Sequence, residues 1–105
     1  MKTDSPLLPG EDLVNEGLND LKEGRDTEAA LLLLVAGPRL RSLGVPVPDQ
    51  DSPRPFEHLL YEKIEDRLGS GAHSYYNSLI RRIVSYARAR SHELTRAEQA
   101  SKAAP

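Results

Sequence analysis

His58 and Glu62 stand four residues apart, a spacing that puts an imidazole and a carboxylate on one helix face where they could share a metal ion. A structural metal site needs a third and a fourth ligand at fixed local spacing, and the flanking sequence offers none. An ordinary helical ion pair is therefore the simpler reading, and no metal is expected. His73 and Ser74 set a base beside a hydroxyl nucleophile. Adjacent side chains of a helix diverge, however, and Ser74 is placed to cap a helix start. Glu57, Glu62, Glu65 and Asp66 read as a solvated face. With no phosphate-cradling loop and no catalytic signature, the chain is expected to be non-enzymatic, with no catalytic residue and no cofactor.

The distribution of charge is more informative than any of these pairs. Residues 1–66 hold seven Lys or Arg against fourteen Asp or Glu, a net −7, whereas residues 67–105 hold seven against two, a net +5. The overall charge of −2 thus conceals a polar molecule. On a helical wheel Arg81, Arg88 and His92, with Ser85 between them, form an outward stripe, and Tyr75, Arg82 and Tyr86 line its flank. Such a stripe suits a phosphate backbone, with tyrosines to stack on bases. The competing reading sets the arginines against acidic residues of the first hairpin, such as Glu16, Asp20 and Glu23, in the same or a second subunit. The slightly acidic whole would repel nucleic acid at long range, which favours this second reading.

The elements that must position these residues are helical. Leu13, Val14, Leu18 and Leu21 fall on one stripe of a first helix, with Glu16, Asp20 and Glu23 opposite. Glu23-Gly24-Arg25-Asp26 makes a tight turn, Asp26 or Thr27 caps a second helix, and Ala29–Ala36 is apolar throughout. Eight residues are too few to cross a bilayer, so this helix should be buried on most sides. Gly37-Pro38 should interrupt it, leaving one more turn before Gly44. The prolines between Val45 and Pro55 predict an extended spacer. A third helix carries Phe56, Leu59, Leu60, Ile64 and Leu68 and ends at Gly69. A fourth, capped by Ser74, turns Tyr76, Leu79, Ile80, Ile83, Val84 and Ala87 inward, with Leu94 as an extension.

Within residues 13–36, the residues Leu13, Gly17, Gly24, Glu28-Ala29 and Ala36 are spaced in a way that resembles a single tetratricopeptide hairpin. The resemblance implies two antiparallel helices brought close by small residues, with a glycine shaping the turn. It covers about a quarter of the chain, and no second copy follows at the family's period. Asp20 and Asp26 occupy positions where that family places bulky side chains. Arg88 and His92, one turn apart, resemble the arginine–histidine pair of small helical nucleases at a shorter spacing than theirs.

The sequence thus predicts an all-α domain of four main helices in two antiparallel hairpins joined by a proline-rich linker. The first hairpin spans 11–44, the linker 45–54 and the second hairpin 55–96, with a frayed tail over 97–105. A chain of this size supports one compact core, here built mainly from leucine, isoleucine, valine and alanine. The absence of cysteine excludes disulfides and suits a cytoplasmic location, and the first residues lead into no apolar core of a secretory signal. The expected function is protein–protein interaction as an accessory or adaptor domain, with a second copy of the chain, as a homodimer, among the partners. The alternative is a small nucleic-acid-associated regulator using Arg81, Arg82, Arg88, His92, Tyr75 and Tyr86. No membrane association is expected.

Overall fold

A computed structural model describes residues 8–103, and every element found in them is helical. The elements are α1 (Glu11–Lys22), α2 (Glu28–Val35), α3 (Gly37–Ser42), α4 (Phe56–Leu68), a single 3-10 turn (Gly69–Gly71) and α5 (Ala72–Ala103). Two hairpins, α1/α2 and α4/α5, are joined by α3 and the proline-rich segment, as the hydrophobic periodicity predicts.

The apolar run of α2 makes it the centre of the molecule. Ala29 to Leu34 are all buried, and Leu32 and Leu33 are completely so. A helix with no polar face can satisfy itself only when packed on several sides, and α2 lies between α1 and α4 and also reaches α5. Its start is fixed by Thr27, whose hydroxyl accepts from the Ala30 amide at 3.1 Å. That bond satisfies one of the amides that a helix N-terminus leaves free. Pro38 sits in the first turn of α3, where its missing amide proton costs nothing.

The α1/α2 contact depends on Gly17. A Cβ added there would lie 2.6 Å from Leu33 Cγ and 2.7 Å from the Ala29 carbonyl oxygen. Only a residue without a side chain lets the two helices approach this closely. Gly10 does the same for the segment preceding α1. It adopts a left-handed φ of 76°, and a Cβ there would lie 2.8 Å from the Arg82 carbonyl oxygen of α5.

Four features depart from the sequence reading. First, the segment after α3 is more than a spacer: Val45 and Val47 are buried while Pro46 and Pro48 are exposed. This period of two puts alternate side chains into the core. Second, the inward stripe of α5 is rotated. Tyr86 is 6 % exposed and belongs to the core, whereas Val84 is 42 % exposed. Gly10, immediately before α1, packs beside Tyr86, where an added Cβ would lie 3.4 Å from Tyr86 Cβ, so the start of α1 covers that flank. Third, α5 begins at Ala72 directly after the 3-10 turn, so Ser74 lies inside its first turn and is not the cap. Fourth, the segment from Ala97, expected to fray, is helical as far as Ala103. It contains no proline or glycine before Pro105, and alanine-rich sequence has high helix propensity; residues 104 and 105 lie outside the described residues.

A helix of 32 residues is about 48 Å long, and the molecule measures 56 × 28 × 26 Å. Arg90 Nε donates to the Leu43 carbonyl at 3.1 Å, a tether to the open C-terminal end of α3. From His92 to Gln99 every residue is exposed. The last part of α5 therefore stands clear of the core as an arm.

Candidate functional site

The polar residues separate into those that hold the fold together and those left facing solvent. Asp20, placed outward by the sequence reading, is buried at the end of α1. Its carboxylate accepts from Thr27 Oγ1 at 2.5 Å and from Arg25 at 3.1 and 3.2 Å. The Thr27 hydroxyl in particular, and Arg25 beside it, hold this carboxyl below its ordinary value of 3.8 against the opposing effect of burial. Asp20 thus ties α1, the turn and the cap of α2 into one network. Arg67 makes two bonds to Glu28, at 2.8 and 2.9 Å, and its guanidinium lies 4.9 Å from the Tyr75 ring centroid. This links α4 to α2 and covers one face of Tyr75.

The predicted basic surface is accordingly smaller than its sequence suggests. Tyr86 is buried, with its phenol pushed up first of all by desolvation, and is not presented to a ligand. Tyr75 is half-buried and already stacked by Arg67. Arg82 reaches Asp12 of α1 at 3.4 Å, a partner other than the expected Glu16, Asp20 or Glu23. Arg81, Arg88 and His92 remain exposed on one face of α5, and none makes an ion pair among the described residues.

Away from these residues, the proline-rich segment, α2 and α4 line an open groove that no single stretch of the sequence announces in full. Two adjoining hollows of about 330 and 410 Å³ share Leu34, Gln50, Asp51, Ser52 and Phe56. The floor of the larger is Leu31, Leu34, Phe56 and Leu59, and its rim carries Asp26, Asp51, Glu62 and Asp66, with Lys63 as the one cation. Phe56, Leu59, Lys63 and Asp66 succeed one another at three- and four-residue steps, so α4 presents them as a single stripe. The wall is held by two arginines. Arg41 donates to the Val47 and Pro48 carbonyls, both at 3.3 Å, and Arg54 hydrogen-bonds Glu62 across the groove. The hydrogen bond from the Arg54 guanidinium lowers the Glu62 carboxyl below the usual range. A usable signal was present in the sequence: the apolar stripe of the third helix is wider at Phe56 and Leu59 than one buried seam requires, and acidic residues flank it.

Glu62, paired with His58 in the sequence reading, is engaged by Arg54. Among the described residues no group of three or more histidines and carboxylates is arranged to hold a metal ion. His73 Nε2 lies 3.2 Å from Asn77 Nδ2, one turn on, in keeping with a helix-surface contact. No helix among the described residues is long and apolar enough to cross a membrane. In comparisons with protein-family models, curated proteins and solved structures, nothing matches this chain.

Proposed function

We propose that this chain is a non-enzymatic adaptor domain whose groove between the proline-rich segment, α2 and α4 docks a basic amphipathic segment of another protein. One observation carries the reading: an apolar floor of Leu31, Leu34, Phe56 and Leu59 lies inside a rim of four carboxylates. Apolar side chains on the occupant displace water from the floor, and its cations meet the rim. The floor supplies affinity, while the rim selects charge and orientation. Because Arg41 and Arg54 hold the wall in place, little ordering entropy is lost on docking.

The test is fluorescence anisotropy with a dye-labelled synthetic peptide of alternating leucine and lysine at helical spacing. Micromolar binding is expected. It should weaken at least tenfold in Phe56→Ala with Leu59→Ala, and should be absent for the same peptide with glutamate in place of lysine. Equal binding of both peptides, or no effect of the two alanines, would remove the groove as the docking site.

A second reading rests on Arg81, Arg88 and His92, exposed and unpaired among the described residues. They suit a phosphate backbone, and the chain is then a nucleic-acid-associated regulator. With Tyr86 buried and Tyr75 covered, this face has no aromatic platform for stacking a base, which makes it the weaker of the two.

A further inference from the structure

We propose that the occupant of the groove is the outer face of α5 from a second copy of this chain, so that copies join head to tail. The proposal rests on the groove being a docking site and names what fills it. Arg81, Val84, Ser85, Arg88, His92 and Thr95 succeed one another at helical steps along α5, and no carboxylate stands among them. Val84 is 42 % exposed and lies between Arg81 and Arg88 on the same face, giving a basic–apolar–basic sequence. The groove has the complementary chemistry, since Asp26, Asp51, Glu62 and Asp66 line it together with Phe56 and Leu59. Asp26, Asp51 and Asp66 make no ion pair among the described residues, so three rim charges await an external cation.

The contact is between molecules for a geometric reason. Leu79, Ile83 and Tyr86 turn one side of α5 into the core. Arg81 and Arg88 lie on the opposite side of the same continuous helix, so the face cannot reach the groove of its own chain. The net −7 of residues 1–66 and +5 of residues 67–105 attract in this orientation and repel when like ends meet. Because face and groove are different surfaces, the contact is heterologous: every open assembly keeps one free face at one end and one free groove at the other, and so can grow, unless the arrangement closes into a ring.

Sedimentation equilibrium of the full chain tests this, with circular dichroism to confirm that every variant stays helical. The wild type should grow in mass from micromolar to near-millimolar concentration, and should shrink again as salt screens the rim. Arg81→Glu with Arg88→Glu should abolish growth by destroying the face, and Asp51→Lys with Asp66→Lys should do so by destroying the groove. Mixed together, the two variants should associate again, since the intact face of one meets the intact groove of the other and the reversed face meets the reversed groove. A chain carrying all four reversals should associate again. Wild type that is monomeric throughout, growth indifferent to both pairs of reversals, or a mixture that forms no complex would each overturn the proposal. So would a wild type that uses Arg81 and Arg88 for a single-stranded oligonucleotide in preference to its own copy. A monomer that still binds the leucine–lysine peptide refutes self-docking and leaves the groove reading intact; a monomer that binds no peptide removes both.

Discussion

Single residues decide how closely these helices pack and how the fold responds to acid. Gly17→Ala would ordinarily favour a helix, by about 1 kcal/mol of propensity. Here the new methyl group would meet the completely buried Leu33 and, at 2.7 Å, the backbone oxygen of Ala29, which cannot swing aside. Overpacking of this kind costs about 1–3 kcal/mol, so a net destabilisation is expected. Urea unfolding checks it, and a midpoint at or above wild type would mean that α1 and α2 separate freely. Asp20 supplies the pH dependence. Its carboxyl is lowered in the folded state, first by the Thr27 hydroxyl and then by Arg25, so its stabilising contribution is present above the unfolded value of 3.8 and disappears as pH falls through the folded value. Asp20→Asn should therefore melt earlier than wild type at neutral pH, and the two melting temperatures should converge toward acid. A gap of constant width would show that the charge of Asp20 is not what ties the turn to the helices.

At the scale of elements, α2 is the part on which the others depend, and substitution there should be correspondingly severe. Leu33→Ala removes a completely buried side chain that touches the α1 interface, at an expected cost of about 2–5 kcal/mol from lost transfer energy and a residual cavity. The same estimate applies to Leu32→Ala, and chemical denaturation of the two variants tests both; midpoints equal to wild type would show that α2 is not central. This burial was legible because eight apolar residues without a polar face admit few alternatives. So were the turn at Gly24, the restart at Pro38 and the seam of Leu60 and Ile64, each set by a local rule of capping, proline geometry or periodicity. Val45 and Val47 escaped, although their alternation with Pro46 and Pro48 is a strand-like pattern, because proline density was read as a spacer. Tyr86 and Val84 exchanged places for a non-local reason. Both fit a helical stripe, and Tyr86 is the one covered, in part by contact with Gly10, distant in sequence. The groove as a whole was illegible for the same reason, since its lining comes from three separate segments and the acid-flanked stripe at Phe56 and Leu59 marks only one of its walls.

For the whole molecule, the deciding quantity is how binding responds to salt, because the two functional readings place affinity in different interactions. A phosphate backbone held by Arg81, Arg88 and His92 gains affinity almost wholly from released counterions, so it weakens steeply and linearly on a log–log plot as salt rises. The groove takes part of its affinity from Phe56 and Leu59, and only the contribution of the carboxylate rim is screened. Exposed charge pairs are worth about 0–1 kcal/mol each, so screening the rim should weaken peptide binding by a modest factor and leave a salt-resistant remainder. The expected outcome is therefore a shallow salt dependence for the leucine–lysine peptide, and no binding of a mixed single- and double-stranded oligonucleotide pool beyond what the slightly acidic surface allows. Titrating both ligands against wild type at several ionic strengths separates the cases. Steep loss of peptide binding to zero would mean that the apolar floor contributes nothing. Micromolar, salt-sensitive oligonucleotide binding, abolished by Arg81→Glu with Arg88→Glu in a chain that remains helical, would move the function from the groove to α5.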